Sequence, residues 1–126
     1  MELGKKYDQK DILESLQNAE FLDTVQIMPE KYNTHIGESG IKISGGQKQR
    51  LILTRNMITN PKILIIDNGL TGLDMETRQK VIDRITNKDK NMTLIIITNM
   101  IEEIKDADKI YKLEDKTLKE LSAMEV

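Results

Sequence analysis

Two short apolar runs limit the fold of this chain more than any other feature of its sequence. Residues 63–66 read Ile-Leu-Ile-Ile and residues 94–97 read Leu-Ile-Ile-Ile, so each run has the length and the β-branched content of a strand. Between them a helix is predicted from Asp74, because Val81, Ile82 and Ile85 fall on one side. A strand, a helix and a strand in this order predict a parallel pair with a right-handed crossover. Because residues 62–67 are almost continuously apolar, we expect the first strand to be buried on both faces.

Helices are predicted upstream of these strands. Residues 8–28 predict one helix, with Asp8 or Asp11 as its N-cap. Ser44-Gly45-Gly46 opens a second helix over residues 47–59, which Asn60-Pro61 stops.

The C-terminal part predicts a short helix over residues 101–106 and two more strands near residues 110–113 and 118–121. Asp115-Lys116 lies between those strands and predicts a hairpin. A parallel sheet of two to four strands is small for an α/β domain, so we expect the chain to be a fragment of a larger domain, with a naturally truncated gene product as the alternative.

The composition excludes several classes of function. The chain has no cysteine and a single histidine, which excludes disulfides, thiol catalysis and thiolate metal sites. Its net charge is −2 and only four residues are aromatic (three tyrosines and one phenylalanine), so neither charge nor stacking favours nucleic acid. No apolar stretch approaches the roughly 20 residues that span a bilayer, and we expect a cytosolic chain.

Two segments carry the chemistry. Ser44-Gly45-Gly46 at a helix start would let the backbone approach an anion closely, although an ordinary N-cap serine explains it equally if taken alone. Asp67 ends the first strand, where α/β sheets place ligand and metal chemistry; the alternative is a carboxylate that caps the next turn.

Together, the order of these motifs resembles the C-terminal portion of the nucleotide-binding domain of ABC (ATP-binding cassette) transporters, exporters in particular. The matching segments are residues 29–40 (the approach to the signature), 43–50 (the signature motif), 60–67 (the Walker B strand), 71–74 (the D-loop), 93–99 (the switch strand) and 107–115 (the closing hairpin).

The resemblance implies a fold and a function. It implies an α/β chain in which a helical subdomain, residues 1–60, precedes half of a P-loop NTPase (RecA-like) core, residues 61–126, with parallel strands and a C-terminal β-hairpin. In this family two domains sandwich ATP and Mg²⁺ to power transmembrane transport at the cytoplasmic face of a membrane. The partners implied are the N-terminal part of the same domain, a second nucleotide-binding domain, and a transmembrane domain reached through Gly37, Glu38, Ser39 and Gly40.

The resemblance also implies roles for individual residues. The signature residues would contact the γ-phosphate held by the opposite domain: Ser44, Gly45, Gly46 and Gln47. Asp67 would hold Mg²⁺ through water, Asp74 would cross the interface, and Asn99 would approach the γ-phosphate on its own side.

Three departures from the family pattern limit these expectations. No segment matches G-x-x-x-x-G-K-[ST], so the phosphate loop and its lysine are absent from the 126 residues. Asn68 stands where the family has the water-polarising glutamate, and Asn99 stands at the switch histidine. Because a carboxamide does not titrate near neutrality, Asn68 cannot be a general base. We expect nucleotide contact with weakened hydrolysis, and neutral drift is the alternative.

Two other functions remain open. One is a non-catalytic interaction module that docks on membrane helices or on a partner ATPase domain. The other, a soluble ABC protein without membrane partners, is disfavoured by the exporter-like residues 37–40.

Overall fold

The computed structural model describes residues 6–122. Within that range the four α-helices α1, α2, α3 and α4 span Gln9–Asn18, Leu22–Gln26, Gly45–Met57 and Met75–Lys88. The four strands β1, β2, β3 and β4 span Ile63–Asp67, Thr93–Ile97, Ile110–Glu114 and Thr117–Leu121. The outermost residues of the two predicted subdomains, 1–5 and 123–126, lie outside the described residues.

The two apolar runs pair as parallel strands, which confirms the predicted strand–helix–strand unit. Leu64 and Ile66 of β1 point into the core, whereas Ile63 and Ile65 are 61% and 60% exposed. The expectation that β1 is buried on both faces is therefore wrong within residues 6–122. A continuous apolar run cannot show how many of its faces are covered, because that depends on which other segments pack against the sheet.

The single helix predicted over residues 8–28 is two helices, α1 and α2. Glu20 takes a positive φ of 51°, and the Phe21 N–H donates to the Leu16 carbonyl across the end of α1. This is a Schellman ending with glutamate at the position that usually holds glycine, which is why sequence signals missed it. Asp8 holds the predicted N-cap position of α1, but its side chain makes no capping hydrogen bond.

One cluster of buried side chains joins the helical part to the strands. Leu16 of α1 and Phe21, the residue just before α2, lie in the same cluster as Met57 of α3 and Val81 and Ile85 of α4. Burial of such side chains contributes roughly 1.5–3 kcal/mol each. This shared core fixes α3 next to the segment that follows β1.

The C-terminal part is a 3-10 turn and a hairpin. The predicted helix over residues 101–106 is only the 3-10 turn Ile101–Glu103. Strands β3 and β4 form the predicted antiparallel hairpin, and Asp115 and Lys116 between them both have positive φ. The hairpin strands are mostly exposed to solvent.

Candidate functional site

Helix α3 begins with a complete capping box. The Ser44 hydroxyl accepts from the Gln47 N–H at 3.1 Å, and the Gln47 side-chain oxygen accepts from the Ser44 N–H at 2.8 Å. The helix therefore begins two residues earlier than the sequence predicted. Because the Gln47 side chain turns back to its own cap, the first turn of α3 has a fixed shape. Among residues 6–122 the N–H groups of Gly45 and Gly46 have no hydrogen-bond partner, which leaves them available to an anion.

The two glycines of this turn have different surroundings. A Cβ on Gly46 would collide with the carbonyl oxygen of Gly72. The backbone of α3 is therefore in contact with the backbone of the loop between β1 and α4. A Cβ on Gly45 would meet no atom within 4 Å. Packing within the described chain thus explains glycine at Gly46 and leaves glycine at Gly45 unexplained.

The carboxyl ends of the parallel strands bring Asp67, Asn68 and Asn99 to one edge of the sheet. Asp67 ends β1 and accepts from the Asn68 side-chain amide at 3.2 Å. Asn68 has a φ of 47°, and its N–H donates to the Ile97 carbonyl at 2.9 Å, which ties it to the end of β2. Asparagine adopts this left-handed conformation more readily than most residues. All three side chains are exposed.

The loop between Asn68 and Asp74 is attached to α3 by the side chain of Gln49. The Gln49 amide nitrogen donates to the Thr71 hydroxyl at 3.2 Å, and its oxygen accepts from the Gly72 N–H at 2.9 Å. The Thr71 hydroxyl in turn donates to the Asn68 carbonyl at 3.1 Å. Ser44 and Asn68 thus belong to two segments that are connected through hydrogen bonds.

Arg78 of α4 holds the same loop from its other side. Its guanidinium donates to the carbonyls of Leu70 at 3.3 Å and Leu73 at 2.9 Å. It also pairs with Glu103 at 3.1 Å, and the Arg78 and Glu103 side chains are only 11% and 2% exposed. Among the described residues Glu103 Oε1 accepts no hydrogen bond, so the pair is held by charge alone, and it places the segment that follows Asn99 against the loop.

Asp74 caps α4 at an exposed position. Its carboxylate accepts from the Thr77 N–H at 2.9 Å, and hydrogen bonding from the Thr77 backbone and side chain lowers the pKa of Asp74. The capping hydrogen bond therefore favours the ionised form of this carboxylate.

The surroundings of Asp67 are compatible with Mg²⁺. Among the described residues no group of three or more acidic or histidine side chains could hold a metal ion. Mg²⁺ is usually held by one or two carboxylates with phosphate oxygens and water, and one exposed aspartate meets that requirement.

Gly37, Glu38, Ser39 and Gly40 form an exposed turn on the surface of the helical part. Gly37 has a φ of 130°, and a Cβ on Gly40 would collide with the His35 carbonyl. The turn itself therefore requires both glycines.

The structure brings most of the predicted site residues into two adjoining segments, and it adds residues that the sequence analysis missed. Gln49, Thr71, Arg78 and Glu103 form the contacts that hold these segments together. The contacts of Gln49 with the loop span 22 and 23 residues, and short-range spacing carries no signal for such pairs.

The chain is similar to known proteins of one family. A model of the ABC transporter family matches residues 4–71. The chain is 40% identical over 108 residues to a "Multidrug resistance ABC transporter ATP-binding and permease protein" of Lactococcus lactis, covering 86% of this chain and 18% of that protein. It is 35% identical over 123 residues to human "ATP-binding cassette sub-family B member 5", covering 94% of this chain and 10% of that protein.

A solved structure shares the fold. A bacterial Atm1-family ABC exporter with ATP bound superposes with a TM-score of 0.86 and 29% identity, over 95% of this chain and 21% of that chain.

The chain matches a small part of each relative. The chain spans less than a fifth of the length of the two curated relatives described above. In the part of the chain that the structure describes, none of the helices has the length and apolar content needed to cross a bilayer. Because the family model matches more than half of the chain, the chain belongs to the ABC transporter family and corresponds to part of an exporter-like nucleotide-binding domain.

Proposed function

We propose that this chain supplies the signature and Walker B parts of an ATP sandwich that powers transmembrane transport. Ser44, Gly45, Gly46 and Gln47 contact the γ-phosphate of ATP held by a second nucleotide-binding domain. The observation that carries this proposal is the open space beside Gly45 at a capped helix N-terminus. Glycine there adds nothing to the packing of the described chain, but it lets an anion reach the N–H groups.

The residues at the carboxyl ends of β1 and β2 act on a second ATP molecule, which is bound by the domain that contains this chain. Asp67 would hold Mg²⁺ through water, and Asn99 would donate a hydrogen bond to the γ-phosphate. Asp74 faces the partner domain across the interface, and its capping bond to Thr77 supports this role by fixing the carboxylate at a defined point. The bound Mg²⁺ neutralises phosphate charge.

Hydrolysis at this second site is slow. Asn68 can orient a water molecule by hydrogen bonding but cannot take its proton. Its side chain already donates to Asp67 at 3.2 Å, which directs the amide toward the metal-binding carboxylate. The proposed site therefore binds ATP and turns it over weakly.

The chain works with three partners. The exposed outer face of the parallel pair (Ile63, Ile65, Ile95 and Ile97) suits the N-terminal part of the same domain, which would supply the phosphate loop. A second nucleotide-binding domain faces the signature. The exposed turn Gly37, Glu38, Ser39 and Gly40 contacts a transmembrane domain, and the assembly lies at the cytoplasmic face of a membrane.

We also propose that residues up to 60 act as a helical subdomain and residues from 61 as the second half of the ATPase core. The change from helices to strands at Pro61 supports this division.

A non-catalytic interaction module is the second candidate function. Asn68 and Asn99 favour it, because both catalytic positions lack a titratable group. In that case the chain docks on partner domains without binding nucleotide. The experiment described next, which measures retention of Mg-ATP, separates the two functions.

The test is a chimera in which this chain replaces its matching segment in the Lactococcus lactis relative. We expect the chimera to retain Mg-ATP through rapid gel filtration, because slow hydrolysis leaves the sandwich closed. Gly45→Asp places a negative charge at the first residue of α3, where helices favour acids, so the fold is kept while phosphate is repelled. Retention should fall about tenfold or more, the scale of one or two charge-assisted hydrogen bonds.

The matched control is Gln9→Asp, which adds the same charge at the first residue of α1. It should leave retention unchanged. A chimera that retains no Mg-ATP, or a Gly45→Asp chimera that retains as much as the parent, would contradict the proposed function.

A further inference from the structure

The Thr71 hydroxyl lies in the middle of a directed chain of hydrogen bonds. It accepts from the Gln49 amide at 3.2 Å and donates to the Asn68 carbonyl at 3.1 Å. A hydroxyl has one proton, and a backbone carbonyl can only accept, so the Thr71 proton is committed to Asn68. The Gln49 amide must therefore present its nitrogen to Thr71, which leaves its oxygen for the Gly72 N–H at 2.9 Å.

This series of hydrogen bonds joins helix α3 to the loop that follows β1, and the two segments have different proposed roles. Gln49 lies on the first turns of α3, two residues after Gln47, whereas Asn68 follows the Walker B aspartate. The backbones of the two segments also touch, since a Cβ on Gly72 would meet Gln49 Oε1 at 2.7 Å and Gly46 Cα at 3.2 Å. Displacement of α3 must therefore displace residues 71 and 72 or break these bonds.

The loop has little freedom to absorb such a displacement. Arg78 holds the Leu70 and Leu73 carbonyls from the opposite side, and Glu103 neutralises Arg78 within the buried pair. The side chains of Leu70 and Leu73 are themselves buried. The loop is thus fixed from both sides, and α3 is its contact on the signature side.

We propose that Gln49 and Thr71 are positioning residues that couple the signature helix to Asn68. The proposal rests on the proposed function, in which Ser44, Gly45 and Gly46 contact ATP in one site while Asn68 faces ATP in the other. Contact with phosphate across the interface fixes the start of α3. The Gln49–Thr71 chain then fixes the backbone of Asn68, so that occupancy of one site sets the geometry of the other.

The first test measures amide hydrogen exchange at Gly72 in the 126-residue chain. Gln49→Leu removes the acceptor, and exchange at Gly72 should rise between about twofold and tenfold, the range expected for one hydrogen bond. The matched control is Gln79→Leu, because within residues 6–122 the Gln79 side chain donates to Asp83 of its own helix, at 2.9 Å, and to no residue of the loop. Equal exchange at Gly72 in Gln49→Leu and Gln79→Leu would overturn the proposal.

The second test measures kcat and KM for ATP in the chimera, with Asn68→Glu added to raise turnover. Gln49→Leu and Thr71→Val should each lower kcat about 3- to 30-fold, the scale of a small misplacement of reacting groups, with KM unchanged. Thr71→Ser keeps the hydroxyl and should retain kcat within about twofold. The double variant Gln49→Leu/Thr71→Val should be no slower than the slower single variant, because both residues act through the same series of hydrogen bonds.

Other outcomes of the second test are also decisive. Multiplicative losses in the double variant, or a Thr71→Ser chimera as slow as Thr71→Val, would overturn the coupling. If the parent chimera retained no Mg-ATP, the proposed function would fail, while exchange at Gly72 would still decide whether Gln49 holds the loop.

Discussion

Gly45 and Gly46 are adjacent glycines with opposite surroundings, and this difference predicts opposite effects of one substitution. Gly46→Ala forces a methyl group against the Gly72 carbonyl, so the free energy of unfolding should fall by about 1–3 kcal/mol, the usual cost of overpacking. Gly45→Ala faces open space at the start of a helix and should leave it unchanged or raise it by up to about 1 kcal/mol. Urea unfolding of the 126-residue chain measures both. Equal destabilisation by the two substitutions would show that Gly46 does not pack against the Gly72 carbonyl.

The Asp74 cap predicts a pH dependence of stability. Its pKa is lowered from 3.8 in the folded chain by hydrogen bonding from Thr77, so its charge contributes stability above the unfolded pKa. That contribution is lost as the pH falls through the folded pKa, below 3.8. The Tm of the wild type should therefore exceed that of Asp74→Asn by a constant amount above about pH 5, with the difference closing in stronger acid. Thermal unfolding followed by circular dichroism checks this, and a difference that widens toward acid would contradict it.

At the scale of secondary structure, the hairpin turn predicts a stabilising substitution. Asp115 and Lys116 both have positive φ, of 47° and 62°, which suits glycine better than lysine. Lys116→Gly should strengthen pairing of β3 with β4 and slow amide exchange in both strands by about twofold to fivefold, since a left-handed conformation costs a non-glycine residue roughly 1 kcal/mol. Lys105→Gly, at an exposed position outside the hairpin, is the control. Faster exchange in Lys116→Gly would show that the turn has a different conformation.

The elements that the sequence could predict are those set by local signals. Ser44 and Asp74 are strong N-cap residues, and the runs at 63–66 and 94–97 have strand composition, so α3, α4, β1 and β2 were predictable within a few residues. The break at Glu20 was not, because a non-glycine residue takes the left-handed conformation there. The burial of β1 and the bonds of Gln49 depend on segments distant in sequence, which no local pattern encodes.

At the scale of the whole molecule, one face of the described fold is closed and one is open. Leu64 and Ile66 lie under the helices, while Ile63 and Ile65 on the other side of the same strand are exposed. Apolar surface of this kind on a parallel sheet is normally covered by further structure. We propose that the rest of the nucleotide-binding machinery covers this open face and contacts the exposed turn that begins α3.

We propose above all that the chain contributes to a nucleotide site that binds ATP and hydrolyses it slowly because of Asn68. Steady-state phosphate release by the chimera tests it most directly, in the wild type, Asn68→Glu, Asn99→His and the double variant. Asn68→Glu should raise turnover by roughly 10²–10⁴, the scale of general-base catalysis, and by more than Asn99→His alone. The double variant should exceed both without the effects simply adding. A wild-type chimera that releases phosphate as fast as Asn68→Glu would contradict the claim.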